Sequence, residues 1–300
     1  MNILIAGASG LIGSHLTELL SEKNFSVGHL VRRKIADARV KHFHWNPAEG
    51  KIEAEALSWA DALVYLSGAG VSDKRWTEKR KAEIINSRVM GLRLIAGELK
   101  KNPSRLKTLV SASAIGWYGL YTSEIIHQET DPPASDFFGN CCREWESAAD
   151  LFEAQGIRTV KIRTAMVLAR NGALPKLCMP VKWFIGSPLG TGRQWMPWIH
   201  IEDICAAYLK AIGDNQMRGS YNAAAADQPT NRTFIKTIGT ALAKPVFLPP
   251  VPKFVMRLLL GEMADLVTEG SRVSNEKLVN AGFAFKFSRL KDALDDLLTG

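Results

Sequence analysis

The chain has 300 residues, of which 46% are hydrophobic and 23% are charged. This composition is ordinary for a globular protein, and the length allows about two domains or one large α/β unit. Because no run of about 18 apolar residues occurs and the N-terminus reads as a strand, we expect neither a membrane span nor a signal peptide, and predict a cytoplasmic protein.

The positive charge is distributed rather than concentrated. The net charge is +8, but Lys and Arg are spread along the chain without a basic tail. We therefore do not expect nucleic acid as a partner. A basic cleft for a phosphorylated ligand accounts equally well for the charge.

Regularly spaced glycines follow an apolar run at the start of the chain. Residues 3–6 predict a buried strand, and from residue 11 onward apolar residues recur at helical spacing. Strand, glycine turn and helix form the context of a dinucleotide-binding motif, in which the backbone approaches a pyrophosphate and the helix N-terminus offers it N–H groups. A plain glycine loop is the alternative. The predicted cofactor contacts are Gly7, Ser9, Gly10, Leu11, Ile12 and Gly13.

Two arginines follow the second predicted strand, residues 25–31. At this distance from the glycines an NAD-binding protein usually carries Asp or Glu, which accepts a hydrogen bond from the ribose 2′-OH. Here the residues are Arg32 and Arg33. Because a guanidinium pairs with a phosphate whereas a carboxylate repels it, we predict NADP as the cofactor. A solvated basic strand end is the alternative.

Strands and helices alternate through the first half of the chain. Further strands are predicted at 41–45, 59–70, 106–114 and 157–163, and helices at 77–101 and 137–154. This alternation predicts an α/β fold with a doubly wound parallel sheet of Rossmann type, which binds ligands at the carboxyl ends of its strands.

We predict no metal site. His42 and His44 would share one face of a strand, but no third ligand lies nearby in the sequence. The cysteines show no metal-ligand spacing and are expected to be buried free thiols. They are Cys141, Cys142, Cys178 and Cys205.

The pattern becomes irregular after residue 170. Residues 171–198 are rich in Gly, Pro and Trp, and long irregular stretches inside compact domains are usually functional. A helix beginning at His200 and a strand at 220–223 follow. The last predicted elements are helices at 230–243, 252–260, 275–281 and 289–298.

We therefore predict an NADP-binding domain at 1–170, to which 199–225 return. A smaller, mixed substrate-side region would comprise 171–198 and 226–300.

Four stretches together carry a family resemblance. They are Gly7-Ala8-Ser9-Gly10-Leu11-Ile12-Gly13, Ser111-Ala112-Ser113-Ala114, the Trp-Met-Pro-Trp-Ile-His-Ile-Glu-Asp of residues 195–203, and Tyr221-Asn222-Ala223. The chain resembles the extended short-chain dehydrogenase/reductase superfamily, and within it the atypical epimerase-like subgroup. Its part from about Leu248 is similar to that subgroup's small C-terminal domain of unassigned function. The resemblance implies further cofactor contacts at Leu66, Ser67, Gly68, Glu83, Arg88, Ser111 and Val167. For Glu83 and Arg88, a solvated helix face is the alternative.

The predicted active site departs from the superfamily pattern, which resembles a Ser, a Tyr and a Lys acting together. Ser113 fits the serine, and Ser111 fits it less well. Matching Glu146 to the glutamate that follows the lysine puts Phe138 at the tyrosine position and Cys142 at the lysine position. Because phenylalanine has no proton to donate and a thiol supplies no ammonium, the usual relay is absent.

Other residues are candidates to replace the relay. Tyr118 could place a phenol near the nicotinamide, or it could simply form part of the pocket wall. Cys142 as a nucleophile is the weaker idea, and His200 is expected to fix a loop. Arg193 and Trp195 are predicted to bind substrate, with a solvated loop arginine as the alternative for Arg193.

Ser113 and Tyr118 are thus the catalytic candidates of an NADP-dependent oxidoreductase. Its substrate would be a small molecule, either free or linked to a nucleotide. A nucleotide-sugar epimerase and an NADPH-binding sensor without turnover are the alternatives. The oligomeric state is left open.

Overall fold

A mostly parallel sheet of eight strands organises the computed structural model, which describes residues 1–33 and 40–299. Its strand order is β11-β8-β6-β5-β1-β2-β3-β4, and the first seven strands run parallel. Two short parallel pairs, β9 with β10 and β7 with β12, lie beside it. The strands are β1 (Asn2–Ala6), β2 (Ser26–Val31), β3 (Lys41–Asn46), β4 (Lys51–Ile52), β5 (Ala62–Tyr65), β6 (Thr108–Ala114), β7 (Ile126–His127), β8 (Arg158–Thr164), β9 (Met166–Leu168), β10 (Trp198–His200), β11 (Gly219–Ala223) and β12 (Arg272–Val273).

Helices connect most of the parallel strands, as is usual for parallel pairing. They are α1 (Leu11–Glu22), α2 (Ala54–Trp59), α3 (Glu78–Leu99), α4 (Phe137–Glu153), α5 (Ala173–Lys182), α6 (Ile201–Gly213), α7 (Asn231–Ala241), α8 (Lys253–Leu260), α9 (Asp265–Thr268), α10 (Glu276–Asn280) and α11 (Leu290–Thr299). The predicted doubly wound α/β fold is confirmed. In the described residues no helix has the length and apolar character needed to cross a membrane.

The sheet carries the main hydrophobic core. Ile3, Leu4 and Ile5 of β1 and Leu63 and Val64 of β5 are fully buried, as central parallel strands covered on both faces should be. A second apolar cluster lies outside the sheet. It includes Leu174 and Cys178 of α5, Phe234 of α7 and Leu294 of α11.

Two local predictions are corrected, and the sheet has one short strand that was not predicted. β4 is antiparallel to β3, and the strand predicted at 59–70 covers only Ala62–Tyr65, because α2 extends to Trp59. The stretch 171–198, predicted to be irregular, contains α5. Its Leu174, Cys178 and Val181 are buried at helical spacing, and this packing outweighs the internal Pro180.

All four cysteines are free and buried, as predicted. Within the described parts of the chain, no three His, Cys, Asp or Glu side chains converge as a metal site would require.

Candidate functional site

The glycine turn joins β1 to α1, and two of its glycines are required by the chain itself. Gly7 has φ +86°, and a methyl group there would lie 2.8 Å from the carbonyl carbon of Leu66. A methyl group at Gly13 would lie 2.4 Å from the carbonyl oxygen of Gly7. Both contacts are with backbone that cannot move aside. Gly7 therefore lets β5 lie close, and Gly13 lets α1 pack on the turn.

Gly10 differs from the other two glycines of the turn, Gly7 and Gly13. It is exposed and adopts φ −79° and ψ 172°, an extended conformation open to any residue. A methyl group there would meet only the Gly7 oxygen, at 3.3 Å. As the N-cap of α1, glycine supplies no side-chain acceptor to the first N–H groups of the helix. An open turn with unclaimed N–H groups is the geometry that accommodates a phosphate.

The loop after β5 forms the neighbouring wall of this turn. The N–H of Leu66 donates to the Ala6 oxygen (2.8 Å), so Leu66 and Ser67 lie directly beside Gly7. From beneath, the Arg88 guanidinium donates to the Ala69 oxygen (3.1 Å), and it lies close to Gly68. Burial lowers the pKa of Arg88. Four predicted cofactor contacts, Leu66, Ser67, Gly68 and Arg88, are thus brought together with the glycine turn.

Arg80 and Glu83 support the next part of the same loop. Arg80 is 7% exposed, donates to the Gly70 oxygen and pairs with the exposed Glu83 (Nη1 to Oε2, 2.8 Å). The predicted contact residue Glu83 therefore reaches this loop through Arg80.

Arg32 and Arg33 lie immediately after β2, and both are exposed. β2 pairs in parallel with β1, so the carboxyl ends of the two strands are adjacent. The arginines are thus at the sheet edge that carries the glycine turn.

A buried polar network lies at the carboxyl end of β6. The carboxylate of Glu146 on α4 accepts hydrogen bonds from Ser113 Oγ (2.7 Å) and Ser220 Oγ (3.0 Å). Arg163 of β8 donates to both of its oxygens (Nε 2.8 Å, Nη2 3.0 Å). Arg163 Nη1 also donates to the Tyr118 hydroxyl (2.9 Å), which in turn donates to Asn222 Oδ1 (2.8 Å). Every buried charge in this network has partners, as stability requires.

The network engages the predicted catalytic groups. Ser113 is 3% exposed and Tyr118 is 1% exposed, and each hydroxyl proton is already donated within the network. Burial raises the pKa of Tyr118 to about 12. Ser111, a predicted cofactor contact, is also buried and donates to the Ala112 oxygen (3.0 Å). Ser111 and Ser113 are two residues apart, so both side chains lie on the face of β6 that α4 covers. Neither hydroxyl is therefore presented to an open cleft.

The first turns of α4 lie against the same strand end. A methyl group at Gly116 would contact Phe138 Cβ at 3.3 Å, and Cys142 Sγ lies 3.6 Å from the Ala114 oxygen. The Phe138 ring packs with Trp76 (5.0 Å between centroids) and Phe137 (5.3 Å). An aromatic cluster, Trp76, Phe137 and Phe138, therefore borders the end of β6.

Sequence comparison identifies the family. A model of the NAD dependent epimerase/dehydratase family matches residues 3–224. The chain belongs to this family. A second model, a domain of unknown function (DUF1731), matches residues 251–297.

Relatives of this epimerase-family chain are similar over its whole length. Epimerase family protein YfhF of Bacillus subtilis is 34% identical over 99% of this chain and 98% of its own. The crystal structure of human epimerase family protein SDR39U1 with NADPH covers 100% of both chains at 29% identity, with a TM-score of 0.90. A nucleoside-diphosphate sugar epimerase from Corynebacterium glutamicum has a TM-score of 0.80 at 28% identity, over 99% of this chain and 58% of that one.

The remaining predicted residues of this family member lie in β9, in the loop between α5 and β10, and at the start of α6. Val167 is half-buried in β9. Trp195 donates from Nε1 to the Ser123 oxygen (2.9 Å), and Arg272 lies 4.4 Å from the centre of its ring, so Trp195 links two loops. The Arg193 side chain is exposed. His200 is the N-cap of α6, its ring nitrogen accepting from the Glu202 N–H, as expected of a residue that fixes a loop.

Sequence reasoning missed the residues that hold the site together. Arg163, Asn222 and Trp76 form site contacts with segments distant in the chain, whereas Arg80 contacts Gly70 and Glu83, which are near it in sequence. A partial signal existed for Glu146, which occupies the apolar face of an amphipathic helix, where an unpaired carboxylate would be costly.

We expect Tyr118→Phe to affect stability more than chemistry. Removing the hydroxyl leaves Arg163 and Asn222 each without one buried partner, which should cost about 1–3 kcal/mol of unfolding free energy. Urea unfolding and NADPH turnover of the same preparations would test this. A large loss of turnover at unchanged stability would instead restore Tyr118 as the catalytic phenol.

Proposed function

We propose that this protein is an NADP(H)-dependent oxidoreductase that transfers a hydride between the nicotinamide and a carbonyl or alcohol carbon of a small molecule. The observation that carries the proposal is the open glycine turn beside Arg32 and Arg33. Gly10 has no role in the chain's own packing that matches those of Gly7 and Gly13, so its lack of a side chain is best explained by a bound phosphate. The NADPH in the structure of the human relative supports the same choice.

The residues present fit a dinucleotide that carries an extra phosphate. The glycine turn and the first N–H groups of α1 would hold the pyrophosphate, and the loop 66–70 would line the adenosine side. Arg32 and Arg33 would pair with the 2′-phosphate. When bound, the nicotinamide supplies the hydride. The parts at 1–170 and 199–225 would hold the cofactor, and 171–198 and 226–300 would lie on the substrate side.

Replacing both arginines tests the choice of cofactor. Arg32→Ala with Arg33→Ala should raise the Kd for NADPH about 30-fold or more, since hydrogen bonds between charged groups contribute about 1.5–3 kcal/mol. The Kd for NADH should change little, because NADH has no 2′-phosphate. Fluorescence titration of both nucleotides would measure this, with Lys51→Ala as an exposed-charge control. Equal losses for NADPH and NADH would disprove the assignment.

A substrate panel tests the reaction. NADPH oxidation would be followed with aldehydes and ketones, and interconversion of UDP-sugars would be followed separately. Net reduction with NADPH consumption supports the oxidoreductase. Sugar interconversion without net NADPH consumption would instead identify a nucleotide-sugar epimerase.

A sensor without turnover is the second candidate. It is favoured by the committed hydroxyls of Ser113 and Tyr118 and by Phe138 and Cys142 at the positions of the relay. Tight NADPH binding without turnover of any compound in the panel would support it.

A further inference from the structure

We propose that the site at the carboxyl end of β6 takes a flat, conjugated acceptor of the quinone class, seated on the aromatic cluster Trp76, Phe137 and Phe138. This inference rests on the proposed oxidoreductase function and names its substrate class. Two features of the site support it. The hydroxyl groups of Ser113 and Tyr118 already donate hydrogen bonds within the protein, and the aromatic cluster includes Phe138, which stands at the tyrosine position of the usual relay.

Three hydroxyl groups and one thiol at this strand end are engaged elsewhere. Ser113 donates to Glu146, and Tyr118 donates to Asn222. Thr164 donates to the Ile162 oxygen (3.2 Å). The Cys142 thiol faces the Ala114 oxygen, and burial raises its pKa well above the ordinary range. These four groups are therefore poorly placed to protonate a substrate during hydride transfer.

This arrangement discriminates between acceptors. An isolated ketone becomes an alkoxide as it accepts a hydride, and that strong base needs a proton in the transition state. A quinone accepts the hydride, which carries two electrons, as the C4–H bond of the reduced nicotinamide breaks, so the nicotinamide is oxidised and the quinone becomes a hydroquinone monoanion. The ring delocalises this charge, and the second proton is taken from water afterwards.

The aromatic cluster provides the matching surface. Phe138 lies against Gly116, directly after β6, and its ring contacts Trp76. Trp76 is half-buried and is oriented by a hydrogen bond from Nε1 to the Val71 oxygen (2.8 Å). A flat acceptor could stack on it, since aromatic rings attract one another in offset-stacked and edge-to-face contacts.

The charge around the cluster suits the anionic product. Lys74 and Arg75 precede Trp76 and are exposed, and the Lys81 ammonium lies 5.8 Å from the centre of the Phe137 ring. Because Lys81 is paired with Glu78 (3.1 Å) and Glu262 (2.7 Å), the positive charge that would stabilise a hydroquinone anion comes from Lys74 and Arg75.

The test compares two bicyclic compounds of similar size. Menadione is the quinone probe, and 1-tetralone is a ketone without the second carbonyl. With NADPH and the full chain, menadione should be reduced at a kcat that varies little between about pH 6 and pH 9, because no protein acid donates a proton. 1-Tetralone should be reduced much more slowly. The reaction without protein is subtracted in each case.

A binding measurement tests the aromatic cluster independently of hydride transfer. In the presence of NADP⁺, calorimetry should give menadione a Kd about three- to tenfold higher for Trp76→Leu than for the unmodified protein, from the loss of stacking. NADPH affinity should be unchanged. Trp183→Leu, a change at an exposed tryptophan, is the matched control and should alter neither Kd.

Each outcome is decisive. NADPH binding with faster reduction of 1-tetralone than of menadione, or a menadione Kd unaffected by Trp76→Leu, overturns the quinone class and leaves the proposed oxidoreductase standing. Absence of NADPH binding overturns both.

Discussion

Gly13→Ala should destabilise the fold, whereas Gly10→Ala should fold normally and lose affinity for NADPH. At Gly13 the added methyl group would lie 2.4 Å from the Gly7 oxygen and 2.7 Å from Ala8 Cα. Both atoms are backbone at the junction of β1 and α1, so relief requires moving the helix. We expect a loss of at least about 3 kcal/mol of unfolding free energy, at the upper end of the cost of overpacking.

At Gly10 the same methyl group needs only a shift of a few tenths of an ångström in the protein alone. Its one close neighbour lies at 3.3 Å, and its backbone conformation suits alanine. The change in stability should stay below about 1 kcal/mol, the cost of an unfavourable N-cap residue. NADPH affinity should fall about tenfold or more, since a displacement of the pyrophosphate costing 1.4 kcal/mol suffices for that.

Urea unfolding and NADPH fluorescence titration of the two variants would measure both effects, with Gly97→Ala as a control in the last turn of α3, where a methyl group meets nothing within 4 Å. If Gly10→Ala bound NADPH as tightly as the unmodified protein, the turn would not be the phosphate site.

Arg163→Met should be the most destabilising change in the buried network. It leaves the Glu146 carboxylate, which is 3% exposed, without the guanidinium that donates to both of its oxygens. Breaking a buried ion pair from one side costs about 3–5 kcal/mol, because the remaining charge stays desolvated.

The double variant Arg163→Met with Glu146→Leu separates the contribution of the ion pair from the cost of leaving one buried charge unpaired. Removing both charges should recover part of the loss, so that the two changes are not additive. Lys51→Met is the surface control: its ion pair with Glu49 is exposed and should contribute less than about 1 kcal/mol. Additive losses in the double variant would mean that the pair is not coupled as the structure indicates.

The parallel fold and the conformation of the glycine turn were predictable because both are encoded locally. A buried strand, glycines at fixed spacing and an amphipathic helix are patterns within one short segment. The helix ends were predictable to within a few residues for the same reason. α3 extends over Glu78–Leu99 where 77–101 was predicted, and α4 over Phe137–Glu153 where 137–154 was predicted.

The state of each polar side chain was not encoded locally. Ser113 and Tyr118 are five residues apart in sequence, and their chemistry looked available until Glu146, Arg163 and Asn222 were placed against them. These partners come from α4, β8 and β11, up to 104 residues away.

The sequence by itself therefore determined the candidate site proposed for a phosphorylated dinucleotide, because that proposal depends on glycine positions and on two adjacent arginines. Only the tertiary structure decided that the hydroxyls nearest the expected reaction centre are already engaged and that an aromatic cluster borders it. A hydroxyl is free or bound according to which distant groups the packing brings within hydrogen-bonding distance, and periodicity along the chain carries no record of that.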